Sequence, residues 1–307
     1  MTALTWITAN GDGSLLGIGA ERGDFTLWSL REAAVVGTCA VGGFTARATW
    51  LPDGQLLIAR LDGQLRLWDP TASHLVAEWD SGHGKLRGLA CAAAGTTWAT
   101  CGDDGFVRLW DPVTRQLRKE LQDGKVAATA VGFVAGAVVV GYADGFFIAW
   151  TTDGSEKVAA GQVSREGLYS LGVHPAGMSI VFGGAKGGLR EVCVGPPDAW
   201  KASRGWKDPP RPIAVNAIAF APDGRMIVAC SDDSAHLYDS LDRSYGLPLH
   251  LPFYMRNPKP AWCQDFIVSG ACFVPGSEWI ATSHFDGLAR LWHRCTCTTT
   301  IDIGKKP

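Results

Sequence analysis

Residues 104–112 read Asp104-Gly105-Phe106-Val107-Arg108-Leu109-Trp110-Asp111-Pro112. An Asp-Gly turn, a short alternating run that ends on an aromatic, and an Asp-Pro stop predict one hairpin strand with a break at each end. Working toward the N-terminus, Thr97 to Cys101 is a second such run, Gly95 marks a turn before it, and Leu86 to Cys91 is a third. Toward the C-terminus, Leu117 to Leu121 is a fourth. Runs this short, rich in β-branched and aromatic residues between Gly, Pro and Asp, predict a unit of four strands.

The unit recurs along the chain. Turn glycines at Gly13, Gly54, Gly95, Gly136 and Gly177 stand 41 residues apart, and Gly224 and Gly276 follow after 47 and 52. The third run closes on Trp28, Trp68, Trp110, Trp150, Tyr238 and Trp292, and Cys193 is assigned to that slot in unit five. Seven units at this spacing predict a repeat architecture, since one such sheet cannot cover its own apolar faces. No segment sustains a 3.6-residue apolar period, so little or no helix is expected.

Asp62-Gly63-Gln64-Leu65-Arg66-Leu67-Trp68-Asp69, the stretch from Asp104 to Asp111, and Asp286-Gly287-Leu288-Ala289-Arg290-Leu291-Trp292 resemble WD repeats. The resemblance runs over the whole chain and implies an all-β, seven-bladed β-propeller of four-stranded antiparallel blades. Residues 1–307 would form a single domain with blades near 3–40, 41–81, 82–122, 123–161, 162–205, 206–252 and 253–304. The family's structural tetrad maps onto His83, Thr100, Asp104 and Trp110, which assigns His83 a structural role and not that of a general base. Elsewhere the tetrad is eroded: Arg22 stands at the turn in unit one, Gly187 in unit five, and no second Gly-His occurs. Blade five, without the Asp and the Trp, is expected to be the least secure. Many relatives close the ring by exchanging a strand between the termini. With no residues left over for that exchange, blades one and seven are expected to meet through side chains alone.

Composition narrows the function classes. Of 307 residues, 47% are hydrophobic and 19% charged, which suits a globular chain and excludes a disordered one. A formal charge of −2 without a basic stripe argues against direct nucleic-acid contact. No apolar run reaches bilayer length and the first ten residues lack the features of a signal peptide, so membrane insertion is not expected and the localisation is read as cytoplasmic. Nine cysteines, an odd number, fit free thiols in a reducing compartment. Cys295-x-Cys297 lacks the second pair of a zinc site, and no metal is expected.

No catalytic constellation is present: there is no Gly-x-Ser-x-Gly elbow, no phosphate-binding loop and no His-Glu-x-x-His. Neither an enzyme nor a cofactor is therefore expected. The sequence departs from its period in two long units, whose excess falls in Gly195 to Ala214, with Trp200 and Trp206, and in Leu247 to Gln264, with Phe253, Tyr254, Arg256 and Trp262. Such loops either anchor a partner or fold back over blades five to seven, and Phe253, Tyr254 and Arg256 in particular are read as partner contacts. Residues just before the turns form a rim: Glu21, Arg60, Asp103, Tyr142, Lys186, Ser231, His284 and Phe285. The leading expectation is a non-catalytic protein-protein interaction scaffold or complex subunit, binding through the top face and the long loops of blades five to seven. The alternative is a sensor of a peptide or small ligand in the channel mouth, with Tyr142, Phe285 and Trp262 as an aromatic cage for a cation.

Overall fold

Gly, Asp and Pro interrupt the chain every few residues, which leaves room only for short strands. The computed structural model describes residues 2–40, 42–123, 126–196, 199–203, 206, 208, 213–230, 234–238, 245–250, 267–293 and 296–302, and among them are strands and turns with no helix. Twenty-eight strands form seven antiparallel sheets of four consecutive strands each. Blade one is β1 (Leu4–Ala9), β2 (Leu15–Ala20), β3 (Asp24–Ser29) and β4 (Ala34–Ala40). Blade two is β5 (Thr45–Trp50), β6 (Leu56–Arg60), β7 (Gln64–Asp69) and β8 (His74–Asp80). Blade three is β9 (Leu86–Cys91), β10 (Trp98–Gly102), β11 (Val107–Trp110) and β12 (Leu117–Leu121). Blade four is β13 (Ala128–Val134), β14 (Ala137–Tyr142), β15 (Phe146–Thr151) and β16 (Lys157–Gln162), ending one residue past the expected boundary. Blade five is β17 (Leu168–Val173), β18 (Ser179–Gly184), β19 (Leu189–Cys193) and β20 (Lys201–Ser203). Blade six is β21 (Val215–Phe220), β22 (Met226–Cys230), β23 (Ser234–Tyr238) and β24 (Tyr245–His250). Blade seven is β25 (Val268–Phe273), β26 (Trp279–His284), β27 (Leu288–His293) and β28 (Thr296–Asp302).

The first strand of each blade packs against the first strands of the blades on either side, and β25 meets β1, so the seven close into a ring. The sheets form a seven-bladed β-propeller. Its core is divided into seven apolar clusters, each bridging two adjacent blades. Leu57, Leu65 and Leu67 of blade two, for example, pack with Leu86, Trp98 and Trp110 of blade three. This division follows from the geometry: each sheet has two apolar faces, and only its neighbours can cover them.

The joint between blades seven and one is of the same kind. Leu4, Ile7, Leu16 and Ile18 pack with Val274, Ala281, Leu291 and Ile301, and no strand is exchanged across it. It is thus closed by side chains, as expected, and so in the main are the other joints, although between blades two and three the Leu86 amide also donates to the Leu61 carbonyl at 3.2 Å. At its edge Gly13 (φ 71°) lies so close to Pro275 that a Cβ would sit 2.2 Å from the Pro275 carbonyl oxygen, so the approach requires glycine.

Candidate functional site

Each inner strand carries a β-bulge near its start, seen as a register slip between Leu4 and Trp6 in β1 and between Thr45 and Arg47 in β5. The same slip occurs in β9, β13, β17, β21 and β25. A bulge re-aims the extra residue. Here the seven extra residues, Thr5, Ala46, Arg87, Thr129, Tyr169, Asn216 and Ser269, all line one cavity of about 790 Å3 at the mouth of the central channel. The channel continues inward as a narrower space of about 290 Å3.

Strand alternation decides which rim residues reach this mouth. The residue directly before each turn carboxylate does so: Leu61, Asp103, Ala143 and Phe285, with Ala185 at the matching place in blade five. Asp103 and Phe285 therefore line the mouth. Arg60, Tyr142 and His284 lie one residue earlier and turn the other way, into the joints between blades. Tyr142 is 3% exposed within the apolar cluster of blades three and four, and His284 is 1% exposed. Neither presents a surface to a partner. Tyr142 thus cannot contribute to a cation cage. Arg60 is held by ion pairs with Asp62 and Glu78. Phe253, Tyr254, Arg256, Trp262 and Ser231 lie outside the described residues.

Polar groups at the mouth are largely tied. Arg87 binds Asp103 through two hydrogen bonds of 2.6 and 2.9 Å, which hold the Asp103 carboxyl below its ordinary range. Thr129 donates to the Gly141 and Leu168 carbonyls, and Ser269 bonds Ser283. Against this satisfied background three large aromatics stay open: Phe44 at 40%, Tyr169 at 44% and Phe285 at 37% exposure, all lining the same cavity.

Below the rim, the tetrad closes as a connected chain. Trp110 Nε1 donates to Thr100 Oγ1 at 2.9 Å, Thr100 Oγ1 lies 3.0 Å from His83 Nε2, and His83 Nδ1 lies 2.9 Å from Asp104. Arg108 adds a bond to Asp104 at 2.7 Å and one to Glu120 at 2.7 Å. Burial lowers the His83 pKa, only partly countered by Asp104, and keeps the ring neutral. Burial alone would raise Asp104, but bonds from Arg108 and His83 outweigh it and leave the carboxyl below its usual value.

A sequence profile described as "WD domain, G-beta repeat" matches residues 37–69, 74–111, 210–239 and 262–293. Each match ends at or directly after the aromatic slot of a third strand, in phase with blades two, three, six and seven. Four of the seven blades carry WD repeats. Comparison with curated proteins returned no match.

The WD-repeat geometry exposes what repeat counting missed. A related three-residue chain stands in blade seven, where Trp292 Nε1 donates to Thr282 Oγ1 at 2.7 Å and Thr282 meets His284 Nε2 at 2.8 Å. Asp286 and Arg290 form the accompanying ion pair. Its histidine comes from the second strand, not from a Gly-His dipeptide, so a search for that dipeptide passes over it. The in-phase Thr282, Asp286 and Trp292 were the available signal.

Blade five is shifted by one residue from the sequence assignment. Gly187, with φ 83°, is the counterpart of Gly105, with φ 77°. Lys186 therefore occupies the carboxylate position, where it pairs with Glu166, and Val192, not Cys193, takes the aromatic slot. Val192 is fully buried and Cys193 is exposed. The adjacent pair Gly187-Gly188 made the turn ambiguous by one step.

Among the described residues of the first insertion, both tryptophans turn inward. Trp206 is 5% exposed and packs edge-on to Phe220 and Tyr238, at 5.8 and 6.0 Å, so it belongs to the joint of blades five and six and is not a partner contact. Trp200 stacks on Phe147 of blade four at 6.4 Å. Asp208 accepts the Leu189 amide at 2.7 Å and pairs with Arg190 at 3.2 Å.

Proposed function

We propose that this WD-repeat propeller is a non-catalytic interaction platform that holds a segment of a partner protein in the mouth of its central channel. WD-repeat propellers are commonly interaction scaffolds, and the finer placement of the interface rests on one observation. Of the aromatics left open among the described residues, Phe44, Tyr169 and Phe285 converge on one cavity. Aromatic anchors around a concave site supply large contact area at low entropic cost, which is what a protein interface uses at its centre. The cavity's polar groups are largely engaged within the ring, so a partner would gain chiefly from apolar burial there. Moving the interface from the long loops of blades five to seven to the channel mouth also agrees with the inward folding of Trp200 and Trp206.

The test is a triple substitution, Phe44→Ser, Tyr169→Ser and Phe285→Ser, in the full chain expressed in its native source. Because these side chains are open, the melting temperature should stay within a few degrees of the original. A stoichiometric partner that co-purifies with the unmodified chain should be lost, at about 2 kcal/mol or more per central anchor. A partner retained at full stoichiometry by the triple variant would move the interface elsewhere.

A further inference from the structure

Arg47 carries a positive charge that no carboxylate answers among the described residues. Arg66, Arg87, Arg108, Arg190 and Arg290 each hold an Asp or Glu within ion-pair distance. Arg47 Nη1 instead donates to the backbone carbonyl of Ala46 at 3.2 Å. A guanidinium has five N–H donors, so most of its capacity is uncommitted. Burial, with Arg87 nearby, depresses its pKa, the mark of a cation drawn partly out of water.

Its location gives this charge a use. Arg47 lines both the mouth and the narrower channel beyond it, and among the described residues lining that narrower part it is the sole charged side chain. It follows the bulge in β5, where the other inner strands carry Trp6, Gly88, Ala130, Ser170, Ala217 and Gly270. One blade out of seven therefore sets a cation at the inner edge of the mouth. Of the three charged side chains around the mouth, Arg87 and Asp103 neutralise each other. The remainder is a single positive charge inside a collar that includes Phe44, Leu61, Ala143 and Phe285.

We propose that the channel receives one acidic side chain of a partner protein, carried on an apolar segment, and that Arg47 is the group that holds it. This rests on the mouth being a protein-binding surface and names the chemistry of what enters. A carboxylate matches one free guanidinium in charge and can accept two of its N–H bonds side by side. A phosphate dianion would call for a second free cation, and Arg87 is already bound to Asp103. The collar requires the residues flanking the carboxylate to be apolar.

The experiment screens a random peptide library against the immobilised full chain, unmodified and as Arg47→Gln, Arg47→Lys and Arg47→Glu. The unmodified chain should enrich peptides with one Asp or Glu between apolar residues. Affinity for the leading peptide should fall ten- to a hundredfold in Arg47→Gln, about the worth of a charged hydrogen-bonded pair. Arg47→Lys should retain part of it, and Arg47→Glu should enrich Lys or Arg at the same place. Replacing the peptide's Asp by Asn, or its Glu by Gln, should cost as much with the unmodified chain and nothing further with Arg47→Gln. That arm needs no protein variant to fold. A consensus without an acidic residue, or an acidic peptide bound equally by Arg47→Gln, would overturn this proposal while leaving the mouth as the interface. No enrichment at all, or binding that survives the triple substitution at Phe44, Tyr169 and Phe285, would overturn both.

Discussion

In blade three the turn carboxylate Asp104 meets Arg108 of the same hairpin and His83 from the connection into the blade, whereas in blade five Lys186 occupies the turn and Arg190 meets Asp208 instead. Asp208 lies in the segment leading to blade six, 18 residues along the chain from Arg190. The carboxylate has moved in sequence yet still meets the arginine in the second position of its third strand. Blade seven keeps the turn carboxylate, with Asp286 on Arg290 as Asp104 is on Arg108, and draws its histidine from β26 instead of from the connection into the blade. Where the third strand carries this arginine, as at Arg66, Arg108, Arg190 and Arg290, a carboxylate receives it, and the segment that supplies the carboxylate varies. The aromatic slot differs more deeply. Trp110 fills a joint and donates to Thr100, while Val192 fills its own joint without a polar handle.

The widest separation between the two blades is therefore expected at that slot. Trp110→Ala should cost about 3–5 kcal/mol, the range for emptying a buried tryptophan site, and it leaves Thr100 without its donor. Val192→Ala should cost about 2 kcal/mol, since it removes only two carbons from an equally buried place. Urea unfolding at unchanged slope would read both. Equal losses would mean that the joint of blades two and three relaxes around the missing ring and that the tetrad's tryptophan has no special hold.

Next in size is the hydrogen-bond chain. His83→Ala and Asp104→Ala should each cost about 1–3 kcal/mol, because each strands a buried polar partner. The double variant should cost clearly less than the sum, since one chain is broken in either case. Additive losses would show that the two side chains act independently and would remove the tetrad as a unit.

How much of this was legible in the sequence depends on whether the signal was local. Alternating runs between Gly and Asp turns are local, and they led directly to seven four-stranded blades without helix. The tetrad of blade three was legible because Gly82-His83 and Asp104-Gly105 are contiguous dipeptides. The related chain of blade seven was not, because its histidine reaches Thr282 from two residues away on the same strand. The rim was half legible: Asp103 and Phe285 reach the mouth, but Arg60, Tyr142 and His284 miss it by one residue, and in a strand one residue reverses the face. Trp206 carried the composition of an anchor, and only the fold shows that Phe220 and Tyr238 cover it. The bulges were invisible, because an extra residue leaves no compositional mark, and with them the ring from Thr5 to Ser269 and the setting of Arg47 were invisible too.

Acid should sharpen the contrast between the blades. The folded pKa of His83 lies below its ordinary 6.5, so the stability gained from keeping it neutral is complete above that value and declines as pH falls below it. Asp104 is also lowered, from 3.8, so its contribution persists above that value and is lost only as pH falls through the lower folded pKa. Both act in one direction, with the histidine first. Hydrogen exchange corrected for intrinsic rates should show β9 to β11 losing protection between pH 7 and 5 more than β17 to β19 do. In His83→Gln the portion that begins near 6.5 should vanish. If it stays, another group is responsible.

The smallest expected effect tests the substitution of one carboxylate for another most directly. Asp208→Ala removes the acceptor of the Leu189 amide and the partner of Arg190, but the side chain is about half exposed, so water takes over much of both roles. The cost should be about 0.5–1 kcal/mol and confined to blade five, whose outer strand β20 has only three residues to resist opening. Faster exchange at Leu189, with β9 to β12 unchanged, would show it. Lys186→Asp restores a carboxylate at the turn, four residues before Arg190, as Asp104 stands before Arg108. It also places that carboxylate near Glu166, but this repulsion is common to both Lys186→Asp backgrounds and cancels in the cycle. If Asp208 stands in for the missing turn residue, Asp208→Ala should cost less in the Lys186→Asp background than alone. An equal cost in both backgrounds would mean that the two positions do not serve the same arginine, and the likeness between blades three and five would end at the backbone.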